Sequence, residues 1–314
     1  MATSTGLSAV DDFPEWLGPM TVKELRQGLR ARWFVVPFVS VHIVAGAVVC
    51  IEFAAAAAHT SRATEAGHLA FWGLAFATVA MIFPLRGLIA LTDELAGSNS
   101  QLIILTGLTR WRIAVGKWLT QMALCGLVLI SLLPYAIVRY FFGGVEALGN
   151  FAALGVVAAA SSAMNALMIG GSGYPTYAMR GVVIAAAYLY VALPSAGLLM
   201  WSQYMGLSGG GLWHFLDFLL MSSLTLGFAA AYAFYTLCGL QLTRAHLRAA
   251  VRPWEIPPNR AVMVLFLLSP FYVGAGAAFT CGFGSFFAGA LLVWLVWSLD
   301  RERWPRPPLR RQAL

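Results

Sequence analysis

A histidine and an aspartate lie one helical turn apart near the start of a long apolar run, where they can act on protons. They are His214 and Asp217. Residues at positions i and i+3 share one face of a helix, and an imidazole beside a carboxylate can relay a proton. A helix that begins in the polar interface of a membrane explains the pair equally well. Proton relay is therefore one of two interpretations.

Two further charges fall inside apolar runs. Arg86 stands in FPLRGLIALTDE, and either extends to the lipid headgroups or forms an ion pair with Asp93 or Glu94. Glu52 stands in VVCIEFAAAAA, and either reaches the outer membrane interface or lines a translocation path.

Motifs for catalysis, metal binding or nucleotide binding are absent from the sequence. It contains no H-E-x-x-H, no G-x-S-x-G and no paired carboxylates within an apolar run. Gly116-Lys117 is followed by Trp118, so the chain has no P-loop of the form G-x-x-x-x-G-K-[ST]. We expect neither an enzyme nor a resident cofactor.

The four cysteines form no C-x-x-C pair and have no histidine at ligand spacing, so we interpret them as small apolar residues rather than disulfides or metal ligands. They are Cys50, Cys125, Cys238 and Cys281.

The composition indicates that lipid surrounds the elements that carry these residues. Apolar residues make up 60% of the chain and charged residues 11%, whereas soluble domains carry about a quarter charged residues. Runs of about 20 apolar residues are long enough to cross a bilayer as helices. We predict an all-α polytopic membrane protein with about eight transmembrane helices. They cover Trp33–Ala58, His68–Leu91, Arg112–Phe142, Leu148–Ile169, Val182–Tyr204, Leu212–Leu240, Ala261–Ala278 and Gly282–Leu299.

Charge distribution predicts the orientation. If the N-terminus is cytoplasmic and every run crosses, most Lys and Arg residues lie inside, as the positive-inside rule requires. Both termini are then cytoplasmic. Arg139 is one of the few basic residues placed on the outer side. The last two runs are interrupted by glycines and predict a hairpin rather than one kinked helix. The predicted divisions are a tail 1–20 without the features of a cleavable signal peptide, a membrane core 21–240, a linker 241–260, a hairpin 261–299 and a basic cytoplasmic tail 300–314.

The segment before the first run predicts an amphipathic helix over residues 21–32. Thr21 and Glu24 match a T-x-x-E capping box, so we expect the helix to begin there. Leu25 and Leu29 share an apolar face opposite a basic one. Such a helix lies in the membrane plane with its basic side toward the headgroups. The alternative is a simple cytoplasmic extension of the first span.

Residues 93–111 form a predicted cytoplasmic loop that contains GSNSQLIILTGLTRWR. We expect a short helix over Gln101–Leu105, ended by Gly107, and a second helix capped by Thr109 with Arg110 near the headgroups. An apolar helix exposed at this surface must be covered, either by the membrane or by a groove of a partner.

The order of these elements resembles the ABC-2 type transporter permeases. An acidic residue, an apolar L-T-x-L-T-R turn and a Gly-Lys entering the third span are similar to that family's pattern. The matching residues are Glu94, Leu105, Thr106, Leu108, Thr109, Arg110, Gly116 and Lys117. Gly107 stands where the family often has proline. LLPYAIVRYFFGGVE, residues 132–146, also resembles the end of the third span in such permeases. The likeness covers residues 21–240, and the hairpin extends beyond the six-span core.

The resemblance implies a coupling helix, in the first cytoplasmic loop, that docks on a separate ATPase. Its contact residues are Glu94, Gln101, Leu105, Leu108, Thr109 and Arg110. It implies that ATP and Mg²⁺ bind the ATPase partner, and that a second permease subunit, identical or related, completes the transporter. We expect an exporter in a bacterial cytoplasmic membrane, with no nucleic-acid partner. The alternative is a stand-alone membrane protein, either a secondary transporter or an intramembrane enzyme.

Overall fold

The structure, a computed structural model, describes residues 19–58, 61–95, 109–143, 147–202, 212–251, 259–279 and 283–299. Within these ranges every regular element is a helix. The first five α-helices are α1 Pro19–Arg30, α2 Arg32–Ala57, α3 Ser61–Phe76, α4 Thr92–Leu95 and α5 Arg110–Gly143. They are followed by α6 Ala147–Ser172, α7 Tyr177–Ala187, α8 Leu193–Ser202, α9 Leu212–Val251, α10 Asn259–Phe279 and α11 Phe283–Ser298.

Six helical stretches of the described chain are long and apolar enough to cross a membrane. They are Arg32–Ala57, Leu69–Ile89, Arg110–Phe141, Gly149–Ser172, Tyr177–Leu199 and Thr225–Ala249. The predicted all-helical class and these six spans are confirmed in length and composition. Helices α10 and α11 contain shorter apolar stretches, Arg260–Gly276 and Gly284–Ser298. Which side of the membrane each loop faces stays a prediction.

Two of the spans are not regular α-helices. After α3 the chain continues as a π-helix, Ala77–Ile82, and then as a 3₁₀-helix, Phe83–Ile89. The fifth span likewise contains a π-helix, Tyr188–Ala192, between α7 and α8. A proline, Pro84 or Pro194, follows each π-helix. A proline ring crowds the carbonyl four residues before it, and a wider turn relieves that contact.

Polar side chains of neighbouring helices bind the carbonyls of the first π-helix. The Ser161 hydroxyl donates to the Val79 carbonyl oxygen at 3.1 Å, and the Cys125 thiol approaches the same oxygen at 3.7 Å. The Tyr188 hydroxyl donates to the Met81 carbonyl oxygen at 2.9 Å. Irregular backbone is tolerated at membrane depth where protein groups satisfy it, and this arrangement meets that requirement.

Helix α6 is the central helix of the bundle, and its small residues pack within the chain. A Cβ atom added to Gly239 of α9 would lie 2.2 Å from the backbone carbon of Ala166, and one added to Gly170 would lie 2.7 Å from the Gly239 carbonyl oxygen. The two helices cross at backbone contact because neither glycine has a side chain. The small residues of α6 therefore allow close packing within the subunit.

Helices α10 and α11, the predicted hairpin, pack on α9. Helix α11 packs along α9, and a Cβ atom at Gly289 would lie 2.8 Å from the Ala230 side chain. The Tyr235 and Ser269 hydroxyls of α9 and α10 are 3.1 Å apart. Both predicted runs are helical, and the division into a membrane core and a hairpin stays a prediction.

Helical structure extends into the predicted linker. Helix α9 contains 40 residues and continues to Val251, eleven residues beyond the predicted end of the sixth span. The reason is tertiary contact, since Leu242 and Leu247 are buried in the bundle. Residues 252–258, which include the prolines of the predicted linker, lie outside the described chain.

Candidate partner-docking site and charged groups of the bundle

Helix α1 packs on the beginning of α5. Pro19 and Met20 are already helical, so the helix does not begin at the predicted cap Thr21. Thr21 instead lies inside the helix and is buried, and a Cβ atom at Gly116 would lie 3.2 Å from its hydroxyl oxygen. The capping-box prediction is therefore wrong, because Thr21 serves a tertiary contact.

An ion pair joins α1 to α5. The Lys117 ammonium donates to the Glu24 carboxylate at 3.0 Å, and the side chains are 7% and 26% exposed. Below this pair Gly28 faces Leu124, where a Cβ atom would come within 2.9 Å of the leucine methyl. The sequence predicted a capping role for Glu24 and did not identify its partner. Lys117 lies within an apolar run, and a charge in such a run indicates that a partner of opposite charge is nearby.

One part of the apolar face of α1 packs on the bundle, and another part is exposed. Leu25 packs on the main core, whereas Leu29 is 36% exposed. Ala31, in an extended conformation with φ −76° and ψ 137°, separates α1 from α2. A single extended residue between two helices changes the direction of the chain, as an in-plane helix followed by a span requires.

Replacing Glu24 with glutamine is expected to destabilise the protein by about 1–2 kcal/mol, because it removes the carboxylate that neutralises the buried Lys117 ammonium. The thermal midpoint of the detergent-purified protein measures this effect. Lys23→Gln, an exposed change on the same helix, should leave the midpoint unchanged. The double variant Glu24→Gln/Lys117→Met should be more stable than Glu24→Gln alone, and equal midpoints for Glu24→Gln and Lys23→Gln would contradict the assigned pair.

Both ends of the predicted coupling loop are attached to one small cluster, which we call the anchor cluster: Leu91, Ile113, Ile169 and Leu247. Its four side chains come from the end of the second span, the start of α5, the end of α6 and the end of α9. The Leu91 amide donates to the Ser172 hydroxyl at 3.3 Å. The two chain ends are therefore held close together on buried residues that sequence analysis did not identify.

Of the six predicted coupling residues, the structure describes the side chains of two, Thr109 and Arg110. The Thr109 hydroxyl accepts from the Arg112 amide at 3.4 Å, which is the predicted N-cap of α5. Arg110 is half-buried at the first residue of that helix. Glu94 belongs to α4, but its side chain lies outside the described residues, as do Gln101, Leu105 and Leu108 entirely.

The turn between α6 and α7 closes this end of the bundle. The Tyr174 ring contacts the His246 ring of α9 edge to face, with 4.6 Å between centroids. Arg180 donates to the Tyr174 carbonyl oxygen at 2.7 Å. Burial raises the pKa of the Tyr174 phenol above its ordinary value, because it disfavours the charged form. The turn is thus held by neutral packing and one charge-assisted hydrogen bond.

Arg86 lies over an aromatic ring. Its guanidinium carbon is 5.2 Å from the centroid of the Trp33 ring, a cation–π contact that the sequence did not predict. The predicted ion pair with Asp93 or Glu94 falls on side chains outside the described residues.

At the opposite end of the bundle, Glu52 is paired with Arg139. The guanidinium donates two hydrogen bonds, Nε to Oε2 at 2.5 Å and Nη2 to Oε1 at 2.8 Å. It also lies 4.5 Å from the centroid of the Phe71 ring. The Arg139 residue is 3% exposed, so the arginine assigned from the sequence to the outer side is enclosed by protein. Glu52 thus joins α2 to α5.

His214 and Asp217 lie in the first turns of α9, and their side chains fall outside the described residues. The proton-relay hypothesis stays a prediction. Among the residues described, no group of three or more His, Cys, Asp or Glu could hold a metal ion. Cys125 and Cys238 are buried as expected of apolar residues, Cys50 is exposed, and Cys281 lies outside the described chain.

The helical fold, its six spans and the enclosed ion pairs define a polytopic helical membrane protein. Comparison of the chain with models of known families, with curated proteins and with solved structures gave no significant match.

Proposed function

We propose that this chain is the membrane subunit of an ATP-driven transporter, and that its loop 93–111 docks on a separate ATPase. The observation that supports the proposal most is the common attachment of α1 and both ends of that loop to the beginning of α5. The Glu24–Lys117 pair fastens α1, and the anchor cluster with the Thr109 cap fastens the loop. A force applied to the loop therefore reaches α1 and α5 together.

In this proposal α1 lies in the inner membrane interface and the loop faces the cytoplasm. ATP and Mg²⁺ bind the ATPase, since the sequence of this chain has no P-loop. A second permease subunit completes the translocation path, and the direction of transport is export. The host membrane is a bacterial cytoplasmic membrane.

Replacing Leu105 and Leu108 together with aspartate is expected to abolish co-purification of the ATPase while leaving membrane insertion intact, because two charges cannot enter an apolar cleft unpaired. The matched control is Asn99→Asp/Ser100→Asp, which adds the same charge to the same loop without removing an apolar anchor. Affinity purification followed by ATPase assay measures the result. Equal ATPase recovery with both variants would overturn the assigned contact.

The orientation of the loop provides a separate test. In a variant whose four native cysteines are replaced by alanine, a cysteine introduced at Gln101 should resist an impermeant thiol reagent in intact cells and react after the cells are opened. Labelling in intact cells would place the loop outside and defeat the proposal. Transport or hydrolysis by the purified chain without an ATPase would support the stand-alone alternative instead.

A further inference from the structure

A polar cleft lies between α1, the end of the second span and α5. Its volume is about 260 Å³, and its wall includes Gln27, Ala31, Trp33, Ile89, Thr120 and Leu124. Three charged side chains also line it, namely Glu24, Arg86 and Lys117. Two cations and one carboxylate leave the cleft with a net charge of +1.

The two cations differ in their surroundings. Lys117 is buried and its ammonium contacts the Glu24 carboxylate. Arg86 is exposed, and its contact within the described side chains is with the face of the Trp33 ring. A guanidinium over the face of a ring still has N–H donors in its own plane that can form a bidentate contact with a phosphate.

Apolar surface adjoins this charge. Leu85, next to Arg86 in the chain, is 40% exposed, and Ile89 in the cleft wall is 44% exposed. Helix α2 continues outward from Trp33 with Val36 at 61% exposure. A ligand bound at Arg86 therefore has an apolar surface beside it on two spans.

We infer that the cleft binds the phosphodiester headgroup of a membrane phospholipid, with Arg86 on the phosphate and the acyl chains along α2 and the second span. A phosphodiester carries one negative charge and matches the net charge of the cleft. Inorganic phosphate, with a larger negative charge, would be opposed by the Glu24 carboxylate. Basic pockets between membrane helices are established sites for such headgroups. The inference does not depend on an ATPase partner.

The test is a titration of the detergent-purified protein with phosphatidylglycerol, followed by native mass spectrometry. The wild type is expected to retain one lipid, and Arg86→Gln to weaken its binding about tenfold, the effect of losing a charge-assisted contact. Lys23→Gln removes the same charge from an exposed site outside the cleft and should bind as the wild type does. Sodium phosphate added in excess should not displace the lipid.

A second variant, whose thermal midpoint must match that of the wild type, tests the space in the cleft rather than its charge. Ala31→Phe fills the cleft without changing its charge and should also reduce lipid retention. Equal retention by Arg86→Gln and Lys23→Gln would overturn the inference, as would unchanged retention by Ala31→Phe. Displacement of the lipid by sodium phosphate would assign the cleft to free anions and refute the lipid source.

Discussion

Replacing Arg139 with methionine is expected to cost about 3–5 kcal/mol of stability, because it leaves the Glu52 carboxylate in a membrane-spanning bundle without its cation. The Glu52 side chain is 12% exposed, so water does not replace the lost partner effectively. The two hydrogen bonds of the guanidinium and its position over Phe71 disappear together. We expect a much lower thermal midpoint in detergent and a lower yield of monodisperse protein.

The double variant Glu52→Leu/Arg139→Met separates charge from packing. A buried ion pair replaced on both sides by apolar residues is often no less stable than the original. The double variant should therefore recover most of the stability lost by Arg139→Met. Arg112→Met, a change at an exposed arginine of the same helix, is the control and should have little effect.

One outcome would refute this assignment. If the double variant is as unstable as Arg139→Met, then the lost stability belongs to the packing of Arg139 on its aromatic neighbour. The Glu52 carboxylate would then be an independent group at this end of the bundle.

The spans could be predicted from the sequence because the hydropathy of a run is enough to locate a span. A run of about 20 apolar residues has to cross or be buried, whatever it packs against. The Thr109 cap was predictable for a similar reason, since its hydrogen bond to Arg112 joins residues three apart. Local chemistry decides such features.

Ion pairs could not be predicted because they join distant parts of the chain. Glu52 and Arg139 are 87 residues apart in sequence, and Glu24 and Lys117 are 93 apart. Their pairing depends on which helices are neighbours and on how each helix is rotated about its own axis. The sequence showed that charged groups within apolar runs need partners, but it did not say which ones.

Tertiary packing prevails over the local sequence pattern at two places. Thr21 matches a capping box, yet contact with α5 places it inside α1. The polar composition after Leu240 predicted a linker, yet buried leucines of α9 keep the chain helical to Val251. In both cases the deciding neighbour lies on another helix.

Replacing Gly239 with alanine is expected to cost about 3 kcal/mol or more, because the new methyl group would meet backbone rather than a movable side chain. The nearest atoms belong to Ala166 and Leu167 of α6, at 2.2 to 2.5 Å. Helices α6 and α9 would have to separate along the central contact of the bundle. A lower thermal midpoint and loss of monodisperse protein measure this separation.

A graded series of glycine variants makes the prediction specific to the α6–α9 crossing. Gly170→Ala would place its methyl 2.7 Å from the Gly239 carbonyl oxygen and should have a large effect. Gly155→Ala lies on the same helix α6 with no atom within 4 Å, so it should be neutral or slightly stabilising. The expected order of stability is therefore Gly155→Ala, then Gly170→Ala, then Gly239→Ala. Equal midpoints across the series would mean that the two central helices are further apart than this packing requires, and the close crossing would be wrong.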